Sequence, residues 1–164
     1  MNDEKFHVRR KDREIPREEA ERVLREAEYG TLAMVDPDGN APYGVPVSFV
    51  FCGGAIWIHS ANAGRKFRIL ENGAEAHFSA AQNVRAVFTK YFTSYYESAM
   101  AFGRVELVTD AEEKRAALRE LCRKYLPEKM DVADEHISHS LARTAIFKLV
   151  PARITGKAKR PEHS

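Results

Sequence analysis

Cysteine is scarce in this 164-residue chain: Cys52 and Cys122 are the two present, and they form no C-x-x-C pair. Such spacing excludes a disulfide scaffold and argues against a structural zinc centre, so both are expected to be buried thiols. A charge excess is missing as well, because 26 Lys and Arg face 24 Asp and Glu and leave a formal +2. A nucleic-acid groove is disfavoured, since it needs a concentrated basic surface to neutralise phosphates. No apolar run approaches the roughly 18 to 20 residues that cross a bilayer as a helix. The charged opening from Met1 to Arg13 has no signal-peptide core behind it. The expectation is a soluble, cytoplasmic protein with no membrane partner. Absent too are G-x-G-x-x-G, G-x-S-x-G and Walker patterns, which removes a Rossmann site, a serine-hydrolase elbow and a P-loop. His136 and His139 lack the i, i+4 spacing of a metal pair, His77 stands alone, and no metal site is expected.

What remains is 44% apolar and 30% charged, enough for one core and short for two. Residues 1–14 are dense in charge and read as an arm. Residues 15–157 form the domain, and 158–164 a basic tail. A first helix follows Pro16, carrying Ala20, Val23, Leu24 and Ala27 on one face, with Gly30 placed to close it. Strands are expected at Thr31–Val35, Val45–Phe51 and Ala55–His59, joined by turns at Asp36-Pro37-Asp38-Gly39 and Gly53-Gly54. A short helix runs between Gly64 and Gly73, and strands follow at Ala74–Ala80, Val84–Phe88 and Tyr95–Val108, the last broken by Gly103. Thr109-x-x-Glu112 reads as a capping box for a helix ending at Pro127. A weaker helix over Val132–Ala142 precedes closing strands at Thr144–Val150 and Ala152–Thr155. Short turns between strands argue a mainly β (α+β) chain, a small antiparallel β-barrel with peripheral helices, the alternative being an open α+β sandwich.

Three stretches could carry chemistry. His59-Ser60-Ala61-Asn62-Ala63-Gly64-Arg65-Lys66 ends a strand and begins a helix. Unpaired N–H groups, a positive dipole end and two cations suit a phosphate, although a solvated basic face has the same composition. Pro42-Tyr43-Gly44-Val45-Pro46-Val47-Ser48-Phe49 puts prolines in an apolar strand. They imply incomplete ladder pairing, open to a planar ligand or simply marking an edge. Tyr91, Tyr95, Tyr96, Glu97 and Ser98 suit a ligand cleft or a dimer interface equally.

The order of these motifs, with Tyr29-Gly30-Thr31-Leu32, Ile56-Trp57-Ile58-His59-Ser60-Ala61 and Ile154-Thr155-Gly156-Lys157, resembles the pyridoxamine 5′-phosphate oxidase-like FMN-binding split barrels, nearest to the nitroimidazole-resistance (Nim-type) branch. The resemblance implies a split barrel and a homodimer with FMN in each of two clefts between subunits. It implies that Arg65 and Lys66 with His59 and Ser60 hold the FMN phosphate, that Ala61 and Gly64 also belong to the cofactor site, and that Val45, Pro46, Val47, Ser48 and Phe49 lie along the ring. Tyr96, Glu97 and Ser98 would reach in from the other subunit, with Lys157 nearby and His59 implicated in the chemistry. The implied activity is an FMN-dependent oxidoreductase, taking electrons from a reduced nicotinamide to a small, nitroaromatic-like acceptor. The alternative is a non-catalytic flavin- or haem-binding module. The Gly156-Lys157-Ala158-Lys159-Arg160-Pro161 segment departs from the Arg-Leu-x-Pro-type segment of true pyridoxamine phosphate oxidases, which argues against that particular substrate.

Overall fold

The computed structural model describes residues 8–88 and 90–161. In chain order the elements are β1 (Glu14–Ile15), α1 (Arg17–Glu26), β2 (Gly30–Asp36), β3 (Ala41–Val47), β4 (Val50–Cys52) and β5 (Ala55–Ala61). After them come α2 (Arg65–Leu70), β6 (Ala74–Phe88), β7 (Phe92–Leu107), α3 (Ala111–Tyr125), α4 (Ala133–Ser140) and β8 (Thr144–Lys159). The strands form one sheet in the order β3-β2-β6-β7-β8-β5-β4, with β1 pairing β8. Every pairing is antiparallel. The sheet curls around a core without closing, since β3 and β4 stand unpaired with one another at its two ends. This is the expected mainly β split barrel with peripheral helices.

The first helix begins where Pro16, at φ −56°, presets the entry, and Glu18 and Glu19 sit at its positive end. Its apolar face, Ala20, Val23 and Leu24, is wholly buried in the barrel core. It stops at Ala27 rather than Gly30, which instead opens β2. The cap of α3 also lies one residue beyond expectation: the Asp110 carboxylate, not Thr109, accepts the Glu113 N–H at 2.8 Å. Of the stretch read as an arm, residues 1–7 lie outside the described residues. Val8 is buried, and Glu14 and Ile15 pair with Lys157 and Gly156 of β8.

The largest departure from the sequence reading is at Val45–Phe51. One strand was expected there, within a meander, but the chain leaves β3 after Val47 and enters β4 at Val50, and those strands occupy opposite ends of the sheet. Phe49 is the pivot. Its ring is fully buried, 4.5 Å from the Phe78 ring, and its N–H donates to the Tyr125 hydroxyl at 2.9 Å. The hydroxyl's own proton lies within reach of the carbonyl oxygens of Glu28 at 2.6 Å and Phe49 at 2.9 Å. A residue satisfied by a side chain from α3 has no need of a ladder partner, and the strand breaks there.

From β6 onward the meander holds, in strands longer than the sequence suggested. Ala74–Ala80 and Val84–Phe88 merge into β6 through a bulge between Gln82 and Arg85, with Asn83 at φ 54°. The two closing strands merge into β8, which runs through Pro151 to Lys159 and takes in the first two residues of the expected basic tail, Ala158 and Lys159. Pro151 is tolerated because the β7–β8 register shifts beside it, between Phe102 and Gly103. The backbones come so close there that a Cβ on Gly103 would lie 2.3 Å from the Val150 carbonyl oxygen. Neither cysteine is fully buried, and both thiols are free.

Candidate functional site

Strand β5 ends on His59, Ser60 and Ala61, a turn follows, and α2 starts at Arg65. Gly64 makes the junction at φ +96°, a conformation that an L side chain would strain. The turn is pinned from below, as the Asn62 side-chain amide donates to the Ala142 carbonyl at 2.9 Å. His59 and Ser60 pair with Ile146 and Ala145 of β8, so their side chains leave the strand on opposite faces. A single ligand atom meets one of those side chains rather than both.

The two cations beside them are held very differently. Arg65 donates from Nε to the Asp36 carboxylate at 2.6 Å, and its guanidinium lies 4.6 Å from the centre of the Tyr43 ring. Arg68 reaches the same carboxylate oxygen at 3.3 Å, and the Asp38 N–H donates to the other at 3.1 Å. Asp36 is 2% exposed, and the Arg65 hydrogen bond holds its carboxyl below the ordinary carboxylate value, against the cost of burial. Lys66 has no carboxylate partner among the described residues. Its ammonium makes one long contact to the His59 carbonyl, at 3.4 Å, and burial lowers its pKa. The same surroundings lower the pKa of His59, and the Lys66 charge adds to the effect. The imidazole surface is nonetheless open to solvent in one chain. Among the described residues the arrangement is therefore one cation neutralised by a carboxylate, one cation without a carboxylate and a neutral imidazole around an exposed helix start. Asp36 was legible only as a turn residue; an acid just before Pro-Asp-Gly gives no hint that it anchors an arginine 29 positions on.

The other predicted residues divide. β3, an edge strand, reaches the cluster at Tyr43 and leads away from it through Val45 and Pro46. Val47 and Phe49 are buried in the core, and both backbone polar groups of Phe49 face the Tyr125 hydroxyl, which leaves Val45, Pro46 and Ser48 as the accessible part of that segment. Pro46 and Ser98 line one open groove of about 290 Å³ with Tyr29, Thr31, Ser79 and Met100. Ser98 donates to the Lys157 carbonyl at 3.4 Å. Glu97 is 6% exposed and fully engaged within its own chain: Arg22 at 2.8 Å, Arg160 at 2.7 Å, Gln82 at 3.0 Å and Asn83 at 3.1 Å. Ala61 pairs with Thr144 at one end of β8, whereas Ser98 pairs with Lys157 near the other. That separation is roughly 40 Å of strand at ~3.3 Å per residue. Within one chain, the helix-start cluster and the Tyr96–Ser98 and Lys157 group do not meet.

Comparison with solved structures places this architecture among known ones. A candidate 5-nitroimidazole antibiotic resistance protein from Bacteroides thetaiotaomicron is similar at 25% identity, covering 88% of this chain and 85% of that one, with a TM-score of 0.74. An FAD and heme binding protein from Mycobacterium smegmatis is 24% identical over 91% of this chain and 75% of its own, at a TM-score of 0.75. A flavocytochrome from Azotobacter vinelandii is 20% identical over 96% of this chain and 74% of its own, at 0.81. The latter two likenesses speak for the fold alone. No curated protein matches the chain. Residues 16–158, from the first helix to the end of β8, match the pyridoxamine 5′-phosphate oxidase family, and to that family this chain belongs.

Proposed function

We propose that this protein is an FMN-dependent oxidoreductase working as a homodimer, which takes electrons from a reduced nicotinamide and passes them to a small planar acceptor, nitroaromatics included. The observation that carries the reading is Lys66, a half-buried cation with no carboxylate partner among the described residues, at an exposed helix start. An anionic group would supply the charge that the chain withholds from Lys66 and gives to Arg65. The family match and the flavin named for two similar proteins support a flavin as that anion's owner.

A bound flavin would supply the two-electron redox chemistry. The chain's part is to bind and orient. Lys66 and the backbone N–H groups after Gly64 would hold a phosphate, while Asp36 keeps Arg65 against Tyr43 and so fixes the turn. β3 would run along the ring with its open edge. Prolines donate no ladder bond, so the Pro42, Gly44, Pro46 set is the one that can face outward without cost to pairing with β2. His59, neutral at pH 7 by the direction of its shift, would offer a hydrogen bond rather than a charge. Ser98 and Lys157 would come from the second copy, since one chain holds them far from the phosphate cluster.

The visible spectrum and solution mass test the reading. Absorption near ~375 and ~450 nm in a dimer, bleached by NADPH and restored by a nitroaromatic, is the expected result; mass spectrometry of the released cofactor would identify FMN. His59→Ala should retain FMN less well yet leave the bound flavin reducible. A colourless protein that ignores added FMN would overturn the reading. His77 favours a second one, a haem- or flavin-binding module without turnover: its Nε2 is buried with no hydrogen-bond partner among the described residues, and its ring stacks on Phe102 at 4.7 Å beside a groove of about 530 Å³. A Soret band that haem gives with the native protein, and that His77→Ala abolishes, would select it.

A further inference from the structure

We propose that the hollow where β8 ends, beside the bulge of β6, is a binding site for a small aromatic carboxylate. The site is additional to the flavin cleft, and its occupancy does not depend on the flavin reading.

Two interruptions in the sheet make the hollow. Strand β8 stops at Lys159, and Pro161, which has no N–H to give a ladder, stands two positions on. Tyr96 is the last residue of β7 that pairs with β8, and Tyr95 pairs only with Arg85 of β6. Across the hairpin, the bulge between Gln82 and Arg85 leaves Asn83 and Val84 out of the ladder, and Asn83 takes the left-handed conformation at φ 54°. Bulges of this kind re-aim the side chains beside them. Asn83 and Arg85 thus come to line the same space as Tyr95, Tyr96 and Lys159, with Glu97 and Arg160 next to them. Its volume of about 350 Å³ lies within the range of small-molecule sites, roughly 300–1,000 Å³.

The charges around it are unequally committed. Glu97 is neutralised by Arg22 at 2.8 Å and Arg160 at 2.7 Å, and Arg160 also reaches Glu19 at 2.5 Å. One acid and one cation of the lining are therefore spent on each other. Arg85 is exposed and has neither a carboxylate nor a hydrogen-bond partner among the described residues, and the Lys159 ammonium donates to the Thr93 hydroxyl. Two cations with no carboxylate of their own select an anion, and the planar fork of Arg85 matches the two oxygens of a carboxylate. The rest of the ligand follows from the tyrosines. Tyr95 and Tyr96 are consecutive in β7 and leave it on opposite sides, so they flank the edge that β8 has vacated. Their rings suit a flat apolar body, and an aromatic acid meets both demands. Tyr95 and its partner Arg85 share the inner side with the buried Glu97, whereas Ser98, assigned above to the flavin, faces outward. One ligand need not displace the other.

Isothermal titration calorimetry of the full chain with sodium benzoate is expected to show one saturable site. Arg85→Gln should raise its dissociation constant about 10-fold or more, the loss of a charge-assisted bond. Cyclohexanecarboxylate, which keeps the charge and lacks the ring face, should bind several-fold more weakly than benzoate, and inorganic phosphate more weakly still. Saturating FMN, or the variant Lys66→Gln, should leave the benzoate constant unchanged. Backbone amide resonances of the native protein give a readout that needs no variant: benzoate should shift those of Asn83 to Arg85 and Tyr95 to Glu97. The absence of saturable binding, an Arg85→Gln variant that binds as the native chain does, or shifts confined to other residues would overturn the site. So would benzoate binding that FMN or Lys66→Gln abolishes, which would give the anion to the start of α2. Phosphate or cyclohexanecarboxylate binding as tightly as benzoate would overturn the aromatic class of ligand.

Discussion

At the scale of single residues, the site turns on which cation is already spent. Arg65 stands beside Lys66, and composition gives no reason to rank them; the buried Asp36 carboxylate makes the difference. Lys66→Gln is therefore expected to weaken FMN binding by roughly 10-fold or more, about 1.4 kcal/mol, and Arg65→Gln by less. Titration of flavin fluorescence would check the order, and equal losses would show that Asp36 does not neutralise Arg65 in the way described. Glu97 makes a second prediction. Burial alone would raise its pKa, but hydrogen bonds from Gln82, Arg160 and Arg22 outweigh it and bring the carboxyl to about 2 from the ordinary 4.5. A depressed carboxylate stabilises the fold fully above its unfolded value, so this contribution is complete above pH 4.5 and is lost as the pH falls from there through 2. Urea midpoints measured across that window should fall less steeply for Glu97→Gln than for the native chain.

At the scale of elements, the crossing between β3 and β4 is held by one hydroxyl from α3. Tyr125→Phe would leave the Phe49 N–H without its partner in a buried setting and is expected to cost about 1–3 kcal/mol. That corresponds to a melting temperature lower by several degrees in a domain of this size, roughly 2–4 °C per kcal/mol. An unchanged melting temperature would mean that water replaces the hydroxyl. The same crossing marks the limit of what could be read beforehand. Periodicity exposed every helix and most strand material, because burial of one face leaves its period in the sequence. It joined β3 to β4, since both are apolar and the tie that parts them lies 76 positions away in α3. It divided β6 and β8, since a bulge and a proline look like ends when the neighbouring strands that carry the ladder past them are out of sight.

At the scale of the molecule, the split barrel and the helix-start cluster were legible, and the cluster's inner order was not. Local motifs name the residues of the basic helix start; they do not show that His59 and Ser60 leave β5 on opposite faces, or that Glu97 is consumed by Arg22 and Arg160. Those facts depend on register and on distant partners. The open sheet has its own consequence. Two unpaired edges are templates on which another chain could add a strand and begin to aggregate. One of them, β4, is three residues long, and the other, β3, carries Pro42 and Pro46. A foreign strand seeking a continuous row of donors along β3 meets gaps, whereas a small ligand needs only one or two polar groups from that edge. The prolines that would leave β3 open to the proposed cofactor are the same ones that close it to a stranger's backbone.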